Sequence, residues 1–317
     1  MLQISSEQVY AALPIGECVD VIERAMIAVS QGRADLPLRW LMPLGNGNAM
    51  GVMPGALREP PVHGMKLISL YPDNPKQGLS SHQGILVLFD TVDGRPLATL
   101  DGASVTAQRT AAASAAATRA LARPDSRVLA LLGAGEQADH HLPAQLAVRD
   151  FDDVRVWTRT FANAQAFAAR HAGTAPGIRA CATAEEAVAD ADVIVTVTAS
   201  STAILKGDWL RPGQHVNLVG SSVASAREID DAGLALGRYF VDTTAGANAQ
   251  AGEYLDALKA GAINPYHLLG EIGEVYAGTL AGRLSASDIT IYKSLGVAAQ
   301  DLAAGHEIWR RIAAGGA

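Results

Sequence analysis

The sequence predicts an α/β protein of two domains, the second of which contains a parallel sheet covered by helices. Three observations support this prediction. In the N-terminal third of the chain, strand-like runs follow one another without helices between them. A long alanine-rich helix is then predicted over 103–122. After it, short apolar runs alternate with helical segments, which is typical of a parallel sheet buried on both faces.

The N-terminal part is predicted to be α+β. Ser5 and Gln8 fit a capping box before a short helix, and an amphipathic helix is predicted over 15–30. Because no crossover helices separate the strands that follow, we expect an antiparallel or mixed sheet. Turn-forming residues divide these strands, which are predicted at 38–42, 49–53, 65–70 and 84–90.

The remainder of the chain carries the alternating pattern. The segment 288–314 is predicted to be helical, with an interruption at 294–296, and this last helix is expected to pack back on the N-terminal domain. Before it, strands and helices are predicted in the order 127–132, 136–148, 154–157, a helix ending at 170, 193–198 and 215–220.

Composition excludes several classes of function. With 49% hydrophobic and 18% charged residues, the chain of 317 residues can bury a sizeable core. Its net charge of −7 includes no basic block, which argues against a nucleic-acid partner. Neither a signal peptide nor an apolar run long enough for a membrane is expected. Cys18 and Cys181 lack metal-ligand spacing, so we expect buried fillers in a cytoplasmic protein and no metal.

A glycine-rich turn follows the strand at 128–132. Its G-x-G-x-x-A spacing, directly between a strand and a helix, is typical of the dinucleotide turn of a Rossmann domain. The first glycine permits a tight turn, the second lets a pyrophosphate approach the backbone, and the helix N-terminus offers unpaired N–H groups. An ordinary strand–helix turn is the alternative. The residues are Gly133, Ala134, Gly135, Glu136, Gln137 and Ala138.

The next strand favours NADP(H), with NAD(H) as a possible substitute. An NAD-specific site ends this strand with an acid that binds the ribose 2′-hydroxyl. Here Thr158, Arg159 and Thr160 follow the strand, whereas Asp152 and Asp153 precede it. A guanidinium pairs well with phosphate oxygens, so these residues fit a 2′-phosphate. The alternative is that Arg159 is a solvated loop residue.

Three basic residues of the N-terminal half stand in apolar surroundings. They are Arg39 in LPLRWLMP, Lys66 in HGMKLISLYP and Arg109 in TAQRTAAASAAA. Each alone fits a surface charge with a buried aliphatic stem. Because a cation in an apolar strand or helix usually has an anionic partner, a shared carboxylate site is the other interpretation.

Other polar residues are candidates with ordinary alternatives. Thr198 and Gly220 end predicted strands and could contact a cofactor, or serve as a loop cap and a turn glycine. His82 precedes a strand and would either donate a proton or face solvent. The adjacent His140 and His141 point in different directions on a helix, so they cannot bind a metal together, and we interpret them as surface residues.

Four segments resemble those of the ornithine cyclodeaminase/mu-crystallin family, and the similarity runs through nearly the whole chain. The resemblance implies a homodimer with a substrate-binding and dimerisation domain, 1–115 with 287–317, and a Rossmann domain, 116–286. The segments are GMKLISLYPDNPKQGL, GILVLFDTVDGRPLATLDGASVTAQRTAAASAAAT, LLGAGEQA and DITIYKSLGVAAQDLA.

The resemblance also implies roles for individual residues. Arg39, Lys66 and Arg109 would clamp the α-carboxylate of a small substrate. Ser294 lies in a segment that would close over the cofactor, with a simple helix break as the alternative. Lys66, His82 and Ser222 are the catalytic candidates, and Ser222 would hydrogen-bond the ring nitrogen or a water.

Two departures from the family pattern narrow the expected reaction. Cyclodeaminases and alanine dehydrogenases carry an aspartate base at the position of Ser222, and ornithine-acting members carry a glutamate where this chain has Gly51. A protonated cyclic imine needs no such base, because hydride can add to it directly. We therefore expect NAD(P)H-dependent reduction of Δ1-pyrroline-2-carboxylate to L-proline and of Δ1-piperideine-2-carboxylate to L-pipecolate. The alternatives are ornithine cyclodeamination with bound NAD, an alanine dehydrogenase-like reaction and a non-enzymatic binder.

Overall fold

The chain divides into two units, each organised around its own sheet. The computed structural model describes residues 1–315. Unit 1 contains Met1–Ala112 and the segment from Val297 onward, and unit 2 contains Ala113–Gly296.

Unit 1 is built on a sheet that has seven strands within the described residues. The strand order is β1-β7-β6-β5-β4-β2, with β3 also paired to β4. The pair β1–β7 is parallel and the others are antiparallel, so the predicted mixed sheet is confirmed. The strands are β1 (Leu2–Ile4), β2 (Ala34–Asp35), β3 (Trp40–Gly45), β4 (Asn48–Leu57), β5 (Val62–Leu70), β6 (His82–Asp90) and β7 (Pro96–Asp101). Strands β1, β2 and β7 are not predicted from the sequence, and the first two are very short.

Helices α2 to α4 begin within one residue of the predicted starts, whereas α6 to α10 were not predicted. Ser5 and Gln8 form the expected capping box, in which the Ser5 amide donates to Gln8 Oε1 at 2.9 Å. In chain order the helices are α1 (Ser6–Ala12), α2 (Ile15–Ser30), α3 (Gly102–Leu121), α4 (Glu136–Leu146), α5 (Phe161–His171), α6 (Ala184–Val188), α7 (Asp231–Leu236), α8 (Thr244–Gln250), α9 (Gly252–Lys259), α10 (Ile272–Tyr276) and α11 (Ala298–Gly315).

One face of the unit 1 sheet, here called the inner face, carries the core of this unit. Helix α11 packs on β4, β5 and β6 and also on α2. Met53, Lys66, Leu86 and Leu100 lie directly opposite one another on neighbouring strands, so they form one row across this face. All four are buried. A lysine therefore lies within an otherwise apolar buried row.

Unit 2 has a parallel sheet in the order β10-β9-β8-β11-β12-β15-β13-β14. Its first five positions reproduce the 3-2-1-4-5 part of the strand order of a Rossmann fold, and β15, the last strand of the unit in the chain, takes the sixth position. Ala130 and Leu132 belong to one buried cluster and Leu129 and Leu131 to another, so both faces are covered. The strands are β8 (Val128–Leu132), β9 (Asp153–Trp157), β10 (Arg179–Ala180), β11 (Val193–Thr196), β12 (His215–Leu218), β13 (Gly237–Val241), β14 (Leu268–Glu271) and β15 (Ile289–Lys293).

The helix predicted from Asp288 is wrong over its first part. Residues Ile289–Lys293 form β15, which lies between β12 and β13 with all five residues buried. The segment ITIYK is β-branched and aromatic, and continuous burial is typical of a central parallel strand. Because unit 2 extends to Gly296, residues 287–296 lie with the second sheet, whereas the sequence boundary assigned them to the N-terminal domain.

The cysteines and the absence of long apolar helices were also predicted from the sequence. Cys18 and Cys181 are both buried and unpaired with each other, as predicted for apolar fillers. Among residues 1–315, no helix combines the length and apolar character needed to cross a membrane.

Candidate active site

A buried ion-pair cluster occupies the inner face of unit 1. Lys66, on β5, is only 1% exposed, and its Nζ donates to Asp301 Oδ1 at 2.8 Å and to Thr106 Oγ1 at 3.1 Å. Arg109, on α3, donates from Nε to the same Asp301 oxygen at 3.0 Å and from Nη1 to Gln300 Oε1 at 2.7 Å. One carboxylate therefore bridges two cations that come from different elements.

Arg39 adjoins this cluster. It directly precedes β3, whose first residue, Trp40, pairs with Val52. In this register Arg39 lies beside Met53, the residue that pairs with Lys66. Its positive charge also contributes to lowering the pKa of Lys66. Unit 1 thus brings together the three basic residues identified in the sequence.

Burial and neighbouring charges set the ionisation of this cluster. Burial, reinforced by the charges of Arg109 and Arg39, lowers the pKa of Lys66 to about 7, although Asp301 opposes the shift. Burial alone would raise the pKa of Asp301, but Arg109 and Lys66 outweigh it and hold that pKa below its usual value. A single ionised Asp301 cannot offset the charges of both Lys66 and Arg109. The remaining positive charge would favour a small anion.

Asp301 and Gln300 are the residues that the sequence analysis missed here. Both lie in the first turn of α11 and are fully buried. Asp301 Oδ2 has no hydrogen-bond partner among the described residues. The sequence does contain a clue to Asp301. Asp301 stands in the apolar run GVAAQDLAA and Arg109 in the run TAQRTAAA, and buried charges usually occur in pairs of opposite sign.

His82 is not close to the cluster. It is exposed at the start of β6, opposite Leu70, and its Nδ1 lies 2.9 Å from Ser81 Oγ. Leu70 is four residues beyond Lys66, about 13 Å at the usual rise of about 3.3 Å per residue. His82 shares the inner face with Lys66 but stands at its far edge.

The glycine-rich turn of unit 2 has the geometry of a phosphate site. Gly133 has φ +131° and donates its N–H to the Trp157 carbonyl at 2.7 Å, and a Cβ there would lie 2.7 Å from the Val197 carbonyl oxygen. Gly135 is the N-cap of α4, and a Cβ on it would meet open space. No side chain caps this helix N-terminus. The uncapped amides at the carboxyl end of a central strand fit a pyrophosphate.

The helix after this turn corrects one sequence interpretation. His141 is fully buried rather than exposed, with Nδ1 2.7 Å from the Gln137 carbonyl oxygen and Nε2 3.1 Å from Ser114 Oγ. His141 thereby connects α4 to Ser114 of α3, three residues after the buried Ala138. A surface position was predicted because polarity alone does not show that a partner is available on another helix. Within the described chain, no cluster of three His, Cys, Asp or Glu side chains is arranged to hold a metal.

The loop after β9 carries the residues predicted to select the dinucleotide. Thr158, Arg159 and Thr160 lie between β9 and α5, and β9 is the neighbour of β8 in the sheet. The Arg159 side chain is exposed and makes no hydrogen bond or ion pair with the described residues. Thr160 is the N-cap of α5 without a side-chain capping bond. Since the carboxyl ends of β8 and β9 are adjacent, Arg159 stands beside the glycine turn.

Thr198 and Gly220 are both held by the side chain of Glu228. Its carboxylate accepts hydrogen bonds from the Thr198 amide and hydroxyl, at 2.8 and 2.6 Å, and from the Gly220 amide at 2.6 Å. Any Cβ on Gly220 would collide with Thr198 backbone atoms and with Glu228. The atoms that exclude a side chain at position 220 therefore belong to the protein itself. Sequence reasoning did not identify Glu228, because its partners lie on two other loops.

A second buried ion pair holds the segment that contains Ser222. Lys293 Nζ lies 2.7 Å from Glu253 Oε1 and donates to Ser221 Oγ at 2.6 Å and to the Ser221 carbonyl. Ser221 Oγ in turn donates to Glu253 Oε2 at 3.1 Å. Ser222 follows this anchored residue and is half-buried.

The segment after β15 is also fixed by an acid. Asp242 accepts hydrogen bonds from the Leu295 and Gly296 amides, each at 2.7 Å. Ser294 is buried, and its amide donates to the Leu218 carbonyl at 2.9 Å. Ser294 therefore lies at the carboxyl ends of β12 and β15, close to Ser221.

Comparisons with known proteins agree over the whole chain. The model of the ornithine cyclodeaminase/mu-crystallin family matches residues 2–316. The ketimine reductase mu-crystallin of Mus musculus is 38% identical over 84% of this chain and 82% of its own length. A Δ1-pyrroline-2-carboxylate reductase of Bacillus cereus is 33% identical over 95% of this chain and 94% of its own.

Solved structures show the same similarity. Δ1-pyrroline-2-carboxylate reductase of Thermococcus litoralis, in complex with NADH and L-proline, superposes with a TM-score of 0.96 at 32% identity, covering 100% of this chain and 98% of that one. An archaeal alanine dehydrogenase dimer with bound NAD gives a TM-score of 0.93 at 29% identity, covering 100% and 97%. Since sequence and structure agree from end to end, the chain belongs to the ornithine cyclodeaminase/mu-crystallin family.

Proposed function

We propose that the protein is an NAD(P)H-dependent reductase of small cyclic imino acids, converting Δ1-pyrroline-2-carboxylate to L-proline and Δ1-piperideine-2-carboxylate to L-pipecolate. The observation that carries the proposal is the buried cluster of Lys66, Asp301 and Arg109, which has excess positive charge in a chain of this family. Relatives named for reduction of such imines support it.

The cluster retains hydrogen-bond donors for a substrate carboxylate. Of the five N–H donors of Arg109, the bonds to Asp301 and Gln300 use two, which leaves three. Of the three donors of a charged Lys66, Asp301 and Thr106 use two, which leaves one. Each charged hydrogen bond contributes roughly 1.5–3 kcal/mol, so these donors, with Arg39, would fix the α-carboxylate and the adjacent C=N bond.

Unit 2 would hold the dinucleotide. The amides at Gly135 and the start of α4 would bind the pyrophosphate, and Arg159 with Thr158 and Thr160 would bind a 2′-phosphate. When bound, the reduced nicotinamide supplies a hydride to the imine carbon. The preference for NADP(H) over NAD(H) rests on the unpartnered, exposed guanidinium of Arg159 and on the lack of an acid after β9.

The proton balance requires no strong base. The imine nitrogen enters protonated, and the C=N π electrons become its lone pair as carbon receives the hydride. The resulting secondary amine then takes one proton from solvent. Ser222 would hydrogen-bond this nitrogen directly or through water, held in place by the anchoring of Ser221. A serine hydroxyl is too weak a base to activate water for cyclodeamination.

We also propose a homodimer that forms through the face of the unit 1 sheet opposite to α11, the outer face. Trp40, Met65 and Ile85 on this face are 57%, 36% and 45% exposed. Val52 pairs with Trp40, Val87 pairs with Met65, and Leu67 connects Val52 and Ile85 in one row. A contiguous exposed apolar face of this kind marks an interaction surface. Unit 1 is thus the substrate-binding and dimerisation domain, and unit 2 the dinucleotide-binding domain.

We propose a cytoplasmic location for the protein, because its two cysteines, Cys18 and Cys181, are free thiols.

An activity assay tests the proposed reaction. The purified protein should oxidise NADPH when either cyclic imine is added and should not form proline and ammonia from L-ornithine with NAD⁺. Arg109→Ala should lower kcat/KM for the imine by about 100-fold, because truncating one partner of a buried charge pair costs about 2–5 kcal/mol. Arg119→Ala, on the same helix outside the cluster, is the control. Product from ornithine, or full activity of Arg109→Ala, would contradict the proposal.

The pKa of Lys66 predicts a pH effect on anion binding. Its charge is present below a pH of about 7 and is lost above it. The inhibition constant of pyrrole-2-carboxylate, which does not titrate in this range, should therefore rise about tenfold between about pH 6 and about pH 8. Lys66→Met should bind more weakly at both pH values, with little slope. If the variant kept the wild-type slope, Lys66 would not be the titrating group.

Cofactor selection is tested at Arg159. Arg159→Ala should reduce kcat/KM with NADPH by about tenfold to 100-fold, because charged hydrogen bonds of roughly 1.5–3 kcal/mol each are lost. The value with NADH should stay within about twofold, since NADH lacks the 2′-phosphate. Equal losses with both nucleotides would argue against recognition of that phosphate.

The outer face is tested by light scattering. The wild-type protein should have twice the mass of one chain, and Ile85→Glu should have the mass of one chain, because dimerisation would bury a charge without a partner. Val92→Glu, at a position that is 85% exposed, is the matched control and should remain dimeric. A monomeric wild type, or a dimeric Ile85→Glu variant, would refute this interface.

A further inference from the structure

We propose that Ile68 determines which ring size the substrate site accepts, by forming an apolar wall next to the carboxylate-binding cations; this rests on the proposed function. Ile68 lies two residues beyond Lys66 on β5, about 6.6 Å away at the usual rise of about 3.3 Å per residue. Because side chains alternate along a strand, both residues lie on the inner face.

Ile68 is the central member of a row that contains two glycines. On β4 it pairs with Gly51 and on β6 with Gly84. A Cβ on Gly51 would lie 2.8 Å from Ile68 Cγ1, and a Cβ on Gly84 would lie 3.1 Å from Ile68 Cγ2. The Ile68 side chain therefore spreads over both glycines. Its branched shape restricts its rotamers, so its position is well defined.

Helix α11 covers the inner face at the row of Gly55 and Gly64, on the opposite side of Lys66 from Ile68. A Cβ on Gly55 would meet Ala298, Leu36 and Leu302, and one on Gly64 would meet the Val87 backbone and, at 3.3 Å, Leu302. By contrast, the nearest atoms at Gly51 belong to Ile68 and Leu41, and those at Gly84 belong to β5. The Ile68 side chain is half-buried, whereas Lys66 is fully covered. Ile68 thus lies at the edge of the covered region, directly beyond the cations.

This position matches the shape of the proposed substrate. When the carboxylate is fixed at the cations, the ring methylenes extend from it over the inner face, on which the row of Ile68 is the next one, about 6.6 Å along the strands. The wall formed by Ile68 and Leu41 carries no charge. It would stabilise ring methylenes by burial, at about 0.8 kcal/mol per CH₂, and would disfavour a distal ammonium group.

The consequence is discrimination by one methylene. A rigid apolar wall separates substrates that differ by one CH₂ by roughly 10- to 200-fold. The five-membered imine fits against Ile68, whereas the six-membered ring requires more room. Shortening the side chain should therefore favour the larger ring.

The test compares kcat/KM for the two imines, five-membered and six-membered, in three proteins. Ile68→Ala should shift the ratio toward the six-membered ring by at least about tenfold, mainly through KM. Ile27→Ala removes the same side chain from a half-buried position on α2 and should leave the ratio unchanged. If Ile68→Ala does not fold, Ile68→Val should shift the ratio in the same direction by a smaller factor.

The outcomes separate this inference from the proposed function. If the wild-type protein reduces neither ring, the function itself is wrong. If it reduces both rings and the ratios of Ile68→Ala and Ile68→Val equal that of wild type, the function stands and Ile68 is not the determinant. A shift in the Ile27→Ala control as large as that in Ile68→Ala would also overturn the inference.

Discussion

The salt bridge from Asp301 to Lys66 and Arg109 is the interaction on which the candidate substrate site depends. Two buried cations without a counter-ion would be strongly unfavourable, and removing one partner of a buried pair costs about 3–5 kcal/mol. Asp301 offsets part of this cost and joins β5, α3 and α11 at one point. It leaves the cluster positive, because one carboxylate does not offset the charges of both Lys66 and Arg109. This partial compensation would favour a small anion at the cluster.

Unit 2 uses buried acids in a similar way. Glu228 fixes the loops after β11 and β12 through Thr198 and Gly220. Glu253 fixes Lys293, which in turn fixes Ser221, and Asp242 fixes the segment after β15. These acids position backbone at the carboxyl ends of the parallel strands, the edge at which ligands bind in this fold. Their role is to hold loops in place, whereas the exposed amides and Arg159 remain available for a ligand.

Much of this arrangement could be predicted from the sequence, because it depends on local patterns. The turn at Gly133 follows from spacing between a strand and a helix, and Arg39, Lys66 and Arg109 stand out as charges in apolar runs. Asp301 and Glu228 could not be assigned in the same way, since their partners lie far away in the chain. Strand β15 was mistaken for helix because a short apolar run adjoining a long helix has no distinct period. His141 was placed on the surface because its partner Ser114 lies on another helix.

The direct measurement of the central claim is a crystal structure of the protein grown with L-proline and reduced dinucleotide. The account predicts that the proline carboxylate accepts hydrogen bonds from Arg39, Lys66 and Arg109, while Asp301 keeps its bonds to the last two. A carboxylate bound elsewhere, or Asp301 displaced from both cations, would contradict it.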